Sequence, residues 1–101
     1  MEGHARISPD VLARYAADAA TAVDGVQGLV ESHLPRHRGV RVGSGDAGVS
    51  VELHLSVDWG ASIPAVGRAV QERVADYLAR MADVEPASID VVVDEIGKGN
   101  G

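Results

Sequence analysis

The clearest pattern in the chain is a strict alternation of apolar and polar residues near its middle. The apolar positions are Val49, Val51, Leu53, Leu55 and Val57, and the polar positions are Ser50, Glu52, His54, Ser56 and Asp58. Successive side chains on a β-strand point to opposite faces, so this alternation predicts a strand with one buried and one solvated face.

The residues after Ser8 have the spacing of an amphipathic helix. The Ser8 hydroxyl can accept a hydrogen bond from a free amide of the first turn, and Pro9 suits the first helical position. Asp24-Gly25 ends the pattern. We therefore predict a helix over residues 9–23, with an apolar stripe made of Val11, Leu12, Tyr15, Ala16, Ala19, Ala20 and Val23.

A second helix is predicted after the alternating strand. Ser62 can cap it, Pro64 lies near its start, and Pro86 blocks any further helix. Its apolar stripe consists of Val66, Val70, Val74, Tyr77, Leu78 and Met81.

Three further strands complete the pattern. We predict one over residues 26–34 that ends before Pro35, a short one over 39–42, and a closing strand over 89–94. The segment 43–48 reads G-x-G-x-x-G, but a dinucleotide site requires a helix after this motif and here a strand follows. A hairpin turn is therefore predicted at 43–48.

These elements predict an α+β fold, a two-layer sandwich of order α-β-β-β-α-β with two helices packed on one face of a four-stranded mixed sheet. The helix before the closing strand is long enough for a crossover, so that strand is expected to be parallel to another strand. Residues 7–96 are predicted to form a single domain, between a flexible N-terminus at 1–6 and a flexible Gly-rich tail at 97–101.

Composition restricts the function classes. The chain of 101 residues has a formal net charge of −6, which argues against a surface that attracts nucleic acid or anionic lipid as a whole. It has no Cys, so thiolate nucleophiles and thiolate metal sites are excluded, and a reducing cytoplasm is the expected location. No segment has the ~20 apolar residues of a membrane span. We predict no catalytic residue, no cofactor and no metal ion.

His54 is the one candidate for acid-base chemistry. It lies on the polar face of the alternating strand between Glu52 and Asp58, and a carboxylate beside a His is the arrangement that orients a catalytic base. The sequence specifies neither a nucleophile nor a pocket. A solvated polar face explains the same residues, and we expect that interpretation to hold.

Basic residues concentrate in one segment of this acidic chain. No acidic residue occurs from Ser32 to Gly45. We identify Arg36, His37, Arg38 and Arg41 as a candidate interaction patch for an anionic surface or an acidic partner. The alternatives are a solvated loop that offsets the acidic faces, and a nucleic-acid site, which the absence of nearby stacking aromatics disfavours.

Acidic residues gather elsewhere, on or near the open face of the predicted sheet. They are Glu52, Asp58, Asp90, Asp94 and Glu95. A basic loop of one copy would attract the acidic sheet of another, so we hypothesise head-to-tail self-association.

An ordered series of residues carries a family resemblance over about residues 7–96. Its most telling parts are Val23-Asp24-Gly25-Val26 after the first helix, Trp59-Gly60 after the alternating strand, and Ile63, Val66 and Val70-Gln71 in the second helix. The series resembles the alkaline-shock protein family, the cell-envelope stress response proteins. One departure is Ala82-Asp83, where the family tends to have Thr-Gly.

The resemblance implies a cytoplasmic, non-enzymatic protein that self-associates and gathers beneath the cell membrane through a membrane-anchored protein partner. It supplies no catalytic residues. Two other hypotheses remain: a small nucleic-acid-binding domain that uses the basic loop 33–41, and a small enzyme that uses His54.

Overall fold

The computed structural model describes residues 7–33 and 36–97. Its elements, in chain order, are α1 (Pro9–Thr21), β1 (Val26–Leu29), β2 (Ser32–His33), β3 (Arg36–His37), β4 (Val40–Gly45), β5 (Gly48–Val57), α2 (Ile63–Ala82) and β6 (Ser88–Ile96). Strands β2 and β3 form a separate two-stranded ribbon, and the other four strands form the main sheet. The predicted α+β class and the order α-β-β-β-α-β are therefore confirmed.

Strand β5 is the centre of the main sheet. Strand β6 runs parallel to it and pairs with residues 50–57. Strands β1 and β4 are both antiparallel to β5 and pair with residues 55–57 and 48–53, respectively. Since β6 occupies one side of β5, β1 and β4 must lie end to end along the other side. The sheet is mixed, as predicted.

Both helices start at the predicted caps. The Ser8 hydroxyl accepts a hydrogen bond from Val11 N–H at 3.2 Å, and the Ser62 hydroxyl accepts one from Ala65 N–H at 3.3 Å. These bonds satisfy amides that the first helical turn leaves without a partner. Helix α1 ends at Thr21, two residues before the predicted Val23.

The helices cover the apolar face of the sheet. The buried alanines of α1 have small side chains, so this helix can pack closely against the core. Between the helices, the rings of Tyr15 and Tyr77 meet edge to face with centroids 5.8 Å apart. Met81 was predicted in the stripe of α2 but is 47% exposed, because it lies on the last turn beyond the end of the core. The largest fully buried side chains are Val51, Leu53, Leu55, Val57, Val70, Val74 and Leu78.

The strand predicted over 26–34 is wrong in extent, because it ends at Leu29. Beyond it, Val30 N–H donates to His54 C=O, and His54 N–H donates to Gly39 C=O, both at 2.8 Å. The chain therefore leaves the sheet and returns to it opposite a single residue of β5. The ribbon of β2 and β3 is inserted there, and Leu34 and Pro35 lie outside the described residues.

Gly39 makes this return possible. Its φ is +86°, and a Cβ added to it would lie 2.6 Å from the Cβ of Leu29. Any other residue would combine a left-handed backbone with a steric clash. The outgoing and returning chains can therefore cross this closely only at a glycine.

The turn predicted at 43–48 is shorter in the structure. Strand β4 continues to Gly45, which pairs with Gly48, so only Asp46 and Ala47 form the loop. Gly48 has φ +115°. The segment thus forms a two-residue hairpin that Gly48 completes, which confirms the hairpin interpretation of the motif.

Candidate functional site: the open face of the sheet

The face of the sheet opposite the helices carries polar side chains. Residues paired across neighbouring strands share a face, so the strand register shows which residues belong to it. Arg41 of β4 and Asp90 of β6 are both register partners of Glu52, and Val92 of β6 is the partner of His54. We call this surface the open face. Its residues on the three long strands include Arg41, Ser50, Glu52, His54, Ser56, Ser88, Asp90, Val92 and Asp94.

His54 is held between two carboxylates at the centre of the open face. Its Nε2 lies 2.8 Å from Glu52 Oε2, and its Nδ1 lies 2.7 Å from Asp94 Oδ2. The ring is only 17% exposed. A neutral imidazole has one donor nitrogen, whereas the imidazolium has two, so the protonated ring satisfies both contacts.

The carboxylates also change the titration of the ring. The hydrogen bond to Glu52 raises the pKa of His54 above 6.5, the bond to Asp94 and the charges of both groups act in the same direction, and partial burial opposes them. His54 therefore keeps its proton to a higher pH than a free imidazole. The contacts that favour its charged form come from Glu52 on its own strand and from Asp94 on β6.

Contacts to neighbouring strands extend the polar network. Arg41 Nη1 lies 4.0 Å from Glu52 Oε2, and the Ser56 hydroxyl donates to Gln27 Oε1 at 3.1 Å. The Arg41 contact is at the limit of an ion pair and its side chain is half exposed, so its contribution to stability is small.

The sequence identified one partner of His54 and missed the other. Glu52 is its neighbour, as expected from their i, i+2 spacing on one strand. The second partner is Asp94 and not Asp58. Asp94 was placed only among the acidic residues near the open face, because its contact requires the register of β6 on β5 and the shift in that register between Leu55 and Ser56.

This arrangement is poorly suited to base catalysis or metal binding. Both ring nitrogens face carboxylates, so the imidazole presents no free lone pair to a substrate or a metal ion. Across residues 7–33 and 36–97, no group of three or more His, Asp or Glu residues is positioned to hold a metal ion.

The predicted basic patch is divided between two elements. Arg36 and His37 form β3 of the ribbon, Arg38 follows it and is exposed, and Arg41 lies in β4 of the main sheet. The ribbon meets the sheet opposite His54. The basic segment of the ribbon therefore begins at the edge of the open face, near the cluster of Glu52, His54 and Asp94.

Several large apolar side chains are exposed at one end of the molecule. Trp59 is 71% exposed and follows β5, Ile96 ends β6 as the register partner of Val57, and Ile63 begins α2. No helix in the described part of the chain is both long enough and apolar enough to span a membrane.

Solved structures share this fold. A variant of the MamM CTD superimposes with a TM-score of 0.64 at 18% identity, covering 87% of this chain and 98% of that one. A copper form of the MamM CTD gives a TM-score of 0.60 at 18% identity, covering 85% and 84%. At such identities the likeness establishes the class of fold alone.

Sequence comparison identifies the family. The chain is similar to the uncharacterized protein YqhY of Bacillus subtilis (strain 168), at 31% identity over 88% of this chain and 73% of the relative. It is also similar to the uncharacterized protein Spy1614 of Streptococcus pyogenes serotype M6, at 29% identity over 94% and 88%. The profile of the alkaline shock protein 23 family, described as having a cell envelope-related function, matches residues 1–97. The chain belongs to this family, as its sequence predicted.

Proposed function

We propose that this protein is a non-enzymatic interaction and scaffold protein of the cell-envelope stress response type. It acts in the cytoplasm, associates with copies of itself, and binds a membrane-anchored protein at the inner face of the cell membrane. The cell envelope-related function of its family supports this role. The observation that carries it is the juxtaposition of a basic ribbon and a carboxylate-rich open face in one small domain.

The open face favours binding over catalysis. Its most organised group, His54 with Glu52 and Asp94, has its ring nitrogens committed to hydrogen bonds within the protein. Exposed carboxylates provide charge to a partner, and the imidazole between them is already committed to bonds within the protein. We therefore propose that the protein recognises a macromolecular surface.

The placement of the charges supports the proposed self-association. The candidate residues Arg36, His37 and Arg38 lie in or directly after the ribbon, which meets the sheet beside a face that contains Glu52 and carboxylates of β6, and Arg41 lies on that face. A patch that meets a different patch on the next copy gives a head-to-tail contact, which produces rings or filaments unless it closes. Charge complementarity makes such a contact sensitive to ionic strength.

Sedimentation velocity at low and at physiological salt tests this association. We expect the parent protein to associate at low salt and Arg36→Glu/Arg38→Glu to sediment as a monomer. The matched control is Arg14→Glu/Arg73→Glu, which makes the same change in charge at two exposed helical positions and should behave like the parent. If Arg36→Glu/Arg38→Glu associates like the parent at low salt, the charge account is wrong.

The membrane-anchored partner is tested by a pull-down from native lysate with membranes retained. The expected result is enrichment of an integral membrane protein by the parent chain, and equal recovery from a bare affinity matrix contradicts the proposal. Titration with labelled single-stranded RNA at physiological salt tests the alternative of a nucleic-acid-binding domain that uses loop 33–41. Tight binding that Arg36→Glu/Arg38→Glu abolishes would favour that alternative.

A further inference from the structure

We infer that the outer edge of β6 is a docking site for an extended peptide segment in which basic and apolar residues alternate. This goes beyond self-association through the ribbon and assigns the chemistry of a partner to a second surface. It rests on the proposed role in protein interaction. The site combines outward-facing backbone groups, a shallow groove with apolar walls from β6 and the start of α2 on one side, and carboxylates on the other.

The backbone of β6 offers hydrogen bonds along this edge. Ile89 C=O accepts a hydrogen bond from Gln71 Nε2 of α2 at 2.9 Å, so the backbone groups of Ile89 point away from β5. Backbone direction alternates along a strand, and Val91 and Val93 therefore point the same way. Within residues 7–33 and 36–97, β5 is the one strand that pairs with β6. Gln71 satisfies the first carbonyl and leaves Val91 and Val93 available to an added strand.

The two sides of this edge differ in chemistry. Toward the helices, a groove between α2 and β6 has apolar walls at Ile63, Pro64, Val91 and Val93, and Gly67, Arg68 and Gln71 of α2 complete its lining. A Cβ added at Gly67 would have no atom within 4 Å, so there is open space above this residue. An added strand would thus place alternate side chains against Val91, Val93 and Ile63.

Toward the open face, the same strand presents carboxylates. Asp90 and Asp94 lie on either side of Val92, which is 36% exposed. Side chains of an added strand would stand about 5 Å from these residues on the same face. Lysine or arginine at alternate positions of the peptide complements this charge.

The same carboxylates argue against β6 of a second copy as the occupant. In an antiparallel pairing about Val92, Asp90 of each copy would face Asp94 of the other. Like charges directly opposite one another destabilise a strand pair, and charged residues are a common protection of exposed edges. A basic peptide would instead be attracted to Asp90 and Asp94. Addition of a peptide strand to an exposed sheet edge is a recurring mode of recognition.

Fluorescence anisotropy with two labelled peptides of about seven residues tests the inference. One alternates Lys and Val, and the other contains the same residues as a block of Lys followed by a block of Val. We expect the alternating peptide to bind more tightly, because only it presents each residue type to the matching side of β6. Equal binding of the two peptides would mean simple charge attraction and would overturn the inference.

Protein variants locate the site. Asp90→Lys should weaken binding of the alternating peptide about fivefold, which corresponds to the upper range for one exposed charge pair. The control Asp18→Lys makes the same charge change on exposed α1 and should leave binding at the parent level. Equal effects of the two variants would overturn the assignment to β6.

The role of the backbone is tested on the peptide, which avoids any effect on folding of the protein. Two alternating peptides are N-methylated, one on its Val residues and one on its Lys residues. We expect one of them to lose binding and the other to retain it, because only alternate amides of an added strand face β6. Any other pattern contradicts strand addition. Peptide binding at β6 is measured separately from sedimentation, so failure of ribbon-dependent association would leave the expected outcome of these measurements unchanged.

Discussion

His54 Nδ1 lies 2.7 Å from Oδ2 of Asp94, a residue 40 positions further along the chain. Glu52, on the other side of the ring, belongs to the same strand as His54. The ring therefore connects β5 to β6 on the open face. Because the imidazolium can donate from both nitrogens, protonation of the ring strengthens this connection.

The first prediction concerns the pH dependence of stability. Because the pKa of His54 is raised in the folded state, its stabilising effect is complete below about pH 6.5 and is lost as the pH rises through the folded pKa. The free energy of unfolding of the parent should exceed that of His54→Gln by more at about pH 5.5 than at about pH 9. Urea titrations of both proteins at the two pH values measure this difference. A difference that is the same at both values would contradict the prediction.

The second prediction tests which carboxylate, Asp94 or Asp58, is the partner of His54, a choice that the sequence did not make correctly. Asp94→Asn removes a charge that bonds to His54 and should lower the pKa of the ring. Asp58→Asn makes the same chemical change directly after β5 and should leave the pKa at the parent value. An NMR titration of the His54 ring protons measures both. A larger effect of Asp58→Asn would be incompatible with the geometry of the cluster.

The third prediction concerns the base of the ribbon. Gly39→Ala should lower the free energy of unfolding by about 1–3 kcal/mol, since Ala would have to adopt a positive φ and its Cβ would collide with Leu29. Gly28→Ala is the control, because Gly28 has no atom within 4 Å of an added Cβ. That variant should change stability by less than about 1 kcal/mol. Chemical denaturation compares the two, and equal losses would refute the close crossing at Gly39.

The fourth prediction distinguishes two positions near the C-terminal end of the stripe of α2. Leu78 is fully buried, so Leu78→Ala should cost about 2–5 kcal/mol through lost burial and the cavity that remains. Met81→Ala truncates an exposed side chain and should cost less than about 0.5 kcal/mol. Thermal or urea unfolding provides the measurement. A large loss with Met81→Ala would show that the helix end packs more tightly than described.

The alternation from Val49 to Asp58 was sufficient to predict the side of the sheet on which His54 lies. Strand periodicity is local, and one buried face leaves a single register compatible with burial. The partners contributed by β6 depend instead on a crossover through α2 and on a register shift near Leu55. Neither leaves a local signal, so Asp94 could be placed on a face but not beside a particular residue.

The segment after α1 shows a second limit. The apolar residues of 26–34 suggested one strand, but Gly39 allows the chain to leave β5 after Leu29 and to rejoin it at Val40. Local propensity does not encode a return that depends on close contact between residues distant in sequence. The glycine was visible in the sequence, but its steric role required the path of the outgoing chain.

The ribbon of β2 and β3 is inserted opposite a single residue, His54, so it can be exchanged for another segment without changing the main sheet. Val30 and Gly39 bond to β5 through backbone groups that lie outside β2 and β3, so we expect β1 and β4 to stay in register with a connection of different length or composition. Doubling such a loop costs only about 0.6 kcal/mol in closure entropy. Homologous domains could exchange this segment to acquire new recognition without rebuilding the scaffold, and a foreign hairpin could be grafted at the same point.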